Sequence, residues 1–154
     1  MSDRKPIEFS THPARYADAI TRGLFRAVVR HVVDGDTVDV LLDLGWYAYA
    51  YQSLRLAGID TPELRGTTAD VRATAHVARA RVAALVDQRP VLLRSHRQET
   101  TFGRFVADVF VPVEPASPVM AAWSGVEALS VGGRSWVSLA GILLAEGQGR
   151  VYPG

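Results

Sequence analysis

The chain has no cysteine at all, so it can form neither a disulfide framework nor a thiolate metal site. It has no apolar run near the roughly 18 to 20 residues that span a bilayer, which removes a membrane from the expected partners. The opening stretch, MSDRKPIEFSTHPARYADAI, mixes charge and proline and lacks the apolar segment of a secretory leader, so a cytoplasmic protein is expected. Lysine is nearly absent: Lys5 stands against sixteen arginines. Charge of one sign is also missing, because 17 basic residues nearly cancel 16 acidic ones to leave a net +1. A broad electrostatic grip on duplex nucleic acid is therefore not encoded, although arginine's planar fork still suits one or two phosphate contacts. What remains is an ordinary balance for a single globular domain, 48% hydrophobic and 21% charged over 154 residues.

Residues 1–22 show no sustained period and read as an N-terminal arm ahead of a domain over 23–154. From Leu24 the pattern turns to β-branched runs. FRAVVRHVV reads as a strand, broken by the Asp-Gly turn of DGDT. In TVDVLLDL, Val38, Val40 and Leu42 alternate with Asp39 and Asp43, the mark of a strand with one polar face. YAYAYQSLRLAGI follows the turn at GW. It would align Tyr47, Tyr49 and Tyr51 on one face if no bulge intervenes, and that stripe reads as cross-strand packing ahead of a platform for bases.

A helix is expected next. Thr67 with Asp70 resembles a capping box, and Val71, Ala75, Ala78, Val82 and Leu85 recur at helical spacing. PVLLRS and RFVADVFV read as further strands. Residues from about 112 to 134, rich in Pro, Ala, Ser and Gly, read as an insertion or long loop. SWVSLAGILLAE reads as an apolar helix stopped by Gly147 in a left-handed cap. This order predicts a β-rich α+β fold, a five-stranded OB-type barrel with flanking helices, ahead of a doubly wound sheet.

The chemistry-bearing residues gather at strand ends. Asp36 follows a tight turn, while Asp60 and Glu63 follow another strand. Converging strand ends can bring such oxygens around one hard cation, calcium or magnesium. Taken singly, each carboxylate is as well explained as a turn or capping residue. Arg55 and Arg104 stand in apolar alternations, where an unpaired charge costs several kcal/mol, on the order of 3 to 5 when a partner is lost. They read either as ion-pair partners of the nearby aspartates or as a seat for phosphate. His31, His76 and His96 show no metal-ligand spacing.

Together VVDGDTV, LRLAGIDTPE, TFGRFVADVFV and a final GQGRVY resemble the staphylococcal-nuclease (thermonuclease-like) family, in order from Leu24 to Tyr152, with a few extra residues between the second and third strands. The resemblance implies an OB-type barrel carrying one Ca2+ ion, other divalent metals being possible. It implies that Asp36 and Asp60 supply carboxylate ligands and Thr61 its backbone carbonyl. Glu63 would orient or deprotonate the attacking water, and Arg55 and Arg104 would bind the scissile phosphate. The implied reaction is hydrolysis of DNA or RNA, single strands foremost, to 3′-phosphorylated products. Thr61 precedes Pro62, which biases its backbone to an extended form suited to a fixed carbonyl.

Phe102 and Tyr152 complete the implied substrate contacts, Tyr152 either stacking on a base or closing the core. Three departures bear on affinity and substrate preference. Phe102 replaces the tyrosine usual before Gly-Arg, the aspartate often found upstream is missing near Glu99 and Thr100, and a lysine-rich loop after DTPE is reduced to Arg65. A barrel that binds nucleic acid or protein without turnover is the alternative expectation.

Overall fold

A computed structural model describes residues 23–65, 68–99, 104–114 and 122–152. The N-terminal arm, Phe102 and part of the 112–134 segment lie outside the described residues.

Five strands close on themselves. β1 (Leu24–Asp34) pairs antiparallel with β2 (Thr37–Asp43) and β2 with β3 (Tyr49–Leu56). After the short β4 (Ile59–Asp60) and helix α1 (Ala69–Val86), β5 (Pro90–Glu99) returns to β1 and pairs with β6 (Phe105–Val113). The ring shuts where β3 and β6 pair in parallel at Leu54–Phe105, Arg55–Val106 and Leu56–Ala107. The result is the expected five-stranded barrel, with mixed pairing and two flanking helices among the described residues.

Alternation decides the interior. Val38 and Val40 of β2, Leu54 and Leu56 of β3, Val91 and Leu93 of β5, and Val109 and Val111 of β6 all point inward and are buried. β1 cannot keep strict alternation, because its pairing with β2 shifts between Val29 and His31 and again between Val32 and Asp34. Each bulge inserts one residue, which lets Val29 and Val32 both face the core and bends the strand into the DGDT turn.

α1 buries Ala75, Ala78, Val82 and Val86 against the barrel. Its N-cap is Thr68, whose side chain accepts from the Val71 amide; the expected Thr67 cap is thereby displaced by one residue. Val71 is exposed, so the apolar stripe begins one turn later than the spacing suggested.

The segment expected to be an insertion or long loop contains strand residues. β7 (Ala128–Val131) and β8 (Arg134–Ser138) form a hairpin that continues the sheet outward from β6. Arg94 anchors it, its guanidinium reaching Asp108 at 2.6 Å and Glu127 at 2.7 and 3.0 Å. β8 also consumes residues expected to be helical. α2 (Leu139–Ala145) starts only at Leu139, because Ser135–Ser138 pair with β6 and Ser138 caps the helix through the Gly141 amide. Gly147 ends α2 as expected: with φ of +69°, its amide donates to Leu144 and that of Gln148 to Leu143. α2 buries Leu139, Ile142 and Leu143, and Arg81 of α1 clamps Glu146 with two bonds of 2.7 Å. A short sheet pairs β4 with β9 (Arg150–Val151).

The turn between β1 and β2 has no room for a side chain. A Cβ on Gly35 would stand 2.8 Å from Thr61 Oγ1 and 3.0 Å from Ala78 Cβ of α1. Gly35→Ala is expected to destabilise the protein by about 1 to 3 kcal/mol, the usual cost of overpacking, as measured by urea unfolding.

Candidate functional site

The site is assembled around one buried carboxylate. Asp36 is 6% exposed, and three chain segments answer it. Thr37 Oγ1 donates to Oδ1 at 3.1 Å, the Thr61 amide donates to Oδ2 at 3.2 Å, and Arg55 Nη2 lies 3.4 Å from Oδ2. The Asp36 carbonyl accepts from the Leu56 amide at 2.8 Å, which fixes the turn to the end of β3.

Arg55 stands directly across from Thr37 in the β2–β3 register. The same Nη2 that faces Asp36 donates to Asp60 Oδ1 at 3.1 Å, so one cationic nitrogen is already shared by both carboxylates. Its guanidinium carbon lies 5.4 Å from the centre of the Tyr152 ring. Arg104, at the entrance to β6, donates through Nη1 to Thr37 Oγ1 at 3.0 Å. Asp34, Asp36, Arg55, Thr61, Glu63 and Arg104, with Pro62, Leu64 and Arg65, line an open cleft of about 400 Å³. Asp60 joins that group through Arg55.

Five of the six central residues expected from the sequence thus line one cleft, and the sixth is bonded to it. Tyr152 does not close the core. It is 49% exposed, and its amide donates to the Gly58 carbonyl while its ring faces Arg55. Its Arg55 contact is a cation–π arrangement.

Sequence reasoning gave no role to Thr37, Asp34 or Arg150. Thr37 is the hydroxyl that links Asp36 to Arg104, yet in the sequence it is only a β-branched strand residue. Arg150 was visible only as a letter in GQGRVY. It lies opposite Asp60 in the β4–β9 pair and places Nε at 2.9 Å and Nη2 at 2.8 Å on Asp60 Oδ2. The 90 residues between them leave no local signal for the pair. Gly149 permits the approach, since a Cβ there would meet the Asp60 carbonyl at 2.8 Å.

Arg150, helped by Arg55 and opposed by partial burial, holds the Asp60 carboxyl below the usual carboxylate range. Asp60 is thereby kept ionised through the neutral range.

The residues fit a hard divalent cation in their donor chemistry. All the donors are oxygens, and two carboxylates converge closely enough to share one positive centre. Thr61 Oγ1 is buried with no hydrogen-bond partner among the described residues. Among those residues no three histidine, aspartate or glutamate side chains converge as a metal cluster. An ion held by Asp36 and Asp60 would therefore take backbone oxygen or water as its other ligands, which calcium tolerates.

Compared with protein-family models and with characterised proteins, the chain matches none. No helix among the described residues is long and apolar enough to cross a membrane.

The Asp60–Arg150 pair supplies a pH-dependent test. Because the folded-state pKa of Asp60 is depressed, its contribution is present above the unfolded value of 3.8 and is lost as pH falls through the lower folded value. Arg150 is largely exposed, so solvent screening holds the pair to about 0.5 to 1 kcal/mol. Arg150→Ala should lower stability by that amount at neutral pH, and urea unfolding below the folded pKa of Asp60 should show the two proteins converging.

Proposed function

We propose that the protein is a calcium-dependent phosphodiesterase that hydrolyses DNA or RNA, single strands foremost, to 3′-phosphorylated products. The observation that carries this reading is the shared Arg55 nitrogen. A cationic group bridges Asp36 and Asp60 within one open cleft that also holds Glu63 and Arg104. Such a site can neutralise a phosphodiester on several sides at once.

The roles follow from the groups themselves. Arg55 and Arg104 approach the cleft from β3 and β6, so two guanidinium forks can engage the non-bridging oxygens of one phosphate. Thr37 aims Arg104, and Tyr152 lies against Arg55, which limits the conformations either arginine has to lose on binding. Glu63 lines the same cleft and is the carboxylate assigned to take a proton from the attacking water. Asp36, Asp60 and the Thr61 carbonyl would hold the cation, which when bound supplies charge neutralisation to the phosphoryl oxygens. A phosphate-centred site of this kind engages the backbone and leaves base identity unread, which accommodates both DNA and RNA. The family resemblance of DGDT, LRLAGIDTPE and FGR supports the same assignment of roles.

Cleavage of single-stranded DNA should appear with calcium and vanish with chelator. Glu63→Gln is expected to lower kcat by about 10²- to 10⁴-fold, the range for a general base. Arg55→Ala should lower kcat by roughly 10²- to 10³-fold, as for the loss of one transition-state donor. Circular dichroism would check that both variants fold. Absence of calcium-dependent cleavage, or full activity in both variants, sinks the proposal.

A further inference from the structure

The aromatic residues of β3 are not core. Leu54 and Leu56 face the barrel interior, and the β2–β3 register runs without a bulge from Thr37–Arg55 to Asp43–Tyr49. Strand alternation therefore puts Tyr49, Tyr51, Ser53 and Arg55 in one outward row. Tyr49 and Tyr51 are 58% and 59% exposed. Tyr51 stands across from Leu41 in the β2–β3 register, and Tyr47 is not on the strand at all.

Tyr47 lies in the hairpin turn with Trp46. The Ala48 amide donates to the Gly45 carbonyl at 2.8 Å, and both central residues have positive φ, +49° for Trp46 and +59° for Tyr47. Positive φ of this kind normally calls for Gly or Asn. Two bulky side chains held there cost backbone strain, and neither recovers it by burial, since both are at least 95% exposed.

We infer that the outward row of β3 is a stacking track for the bases of single-stranded nucleic acid, leading from Arg55 through Tyr51 and Tyr49 to the Trp46–Tyr47 tip. The inference rests on the phosphodiesterase reading for its anchor at Arg55. Alternate strand residues stand about 6.5 Å apart, so successive rings can each meet one base of an extended strand. Rings presented singly on a sheet face stack on unpaired bases and find no purchase on a closed duplex.

The row's continuity with Arg55, and not the charge beside it, selects this occupant. Asp39 and Asp43 flank the row from β2, and Asp43 is answered by Arg26 at 2.7 Å. Carboxylates beside the rings oppose burial in a membrane interface. They repel phosphates as well, so a bound strand has to turn its phosphates away from the track and present its bases to the ring faces. That accords with a chain whose net charge is +1.

The test compares two substrates, an oligothymidylate of about 12 nucleotides and a small chromogenic phosphodiester that fills the Arg55–Arg104 cleft without reaching the tyrosines. With Tyr49→Ala and Tyr51→Ala combined, the KM for the oligomer should rise at least about 10-fold relative to that for the small diester, in keeping with base–aromatic stacking. Tyr49→Phe with Tyr51→Phe should restore the oligomer KM, because stacking uses the ring and not the hydroxyl. An unchanged KM ratio in the alanine variant overturns the track, whatever else covers that face.

If the wild-type protein hydrolyses neither substrate, the phosphodiesterase reading fails separately. The track is then judged by fluorescence anisotropy of the labelled oligomer in chelator. Binding that the alanine pair weakens and the phenylalanine pair keeps supports it; no binding overturns it.

Discussion

A buried carboxylate has to be answered on every side, and the answers to Asp36 tie the site together. Its two oxygens take a hydroxyl from β2, an amide from the loop after β4 and the flank of a guanidinium from β3. Removing any one partner would leave a charge in a place water scarcely reaches, which is far more costly than losing an exposed pair. The same contacts that satisfy Asp36 therefore fix the relative positions of β2, β3 and the loop after β4. Arg55 and Arg104 inherit their placement from this arrangement, one directly and the other through Thr37.

The barrel supplies what that cluster cannot. Its parallel closure at β3–β6 brings the end of β3 beside the start of β6, and those are the positions from which Arg55 and Arg104 project. The two bulges in β1 bend the strand so that Val29 and Val32 both stay inside while the turn reaches toward Thr61. Gly35 then meets α1 and Thr61 at distances that exclude even a methyl group. Site and scaffold share atoms at this corner, so the site's geometry cannot relax independently of the core.

Electrostatics in this protein is local. A net charge of +1 conceals a concentrated exchange at one end of the barrel, where Arg55 and Arg150 converge on Asp60 while Arg55 also faces Asp36. A second concentration, around Arg94, has a structural use, binding the β7–β8 hairpin to β5 and β6. The recognition proposed for this protein, by a few placed guanidinium groups and exposed rings, needs no large overall charge.

The sequence by itself indicated the barrel, because β-branched alternation with few crossovers admits few other arrangements, and it singled out the six central residues, because DGDT, LRLAGIDTPE and FGR keep them in local motifs. Local signals failed wherever pairing was remote. Ser135–Ser138 carry an apolar pattern compatible with a helix, and only hydrogen bonds to β6 make them a strand. Thr67 and Thr68 are equivalent as caps on paper, and the start of the helix chose between them. Arg150 acquires a partner only when β9 folds onto β4. The tyrosines gave a correct period but no indication of which face is wet. That was decided by Leu54 and Leu56, which occupy the opposite face and claim the interior, since a strand can bury only one side of itself in a closed barrel.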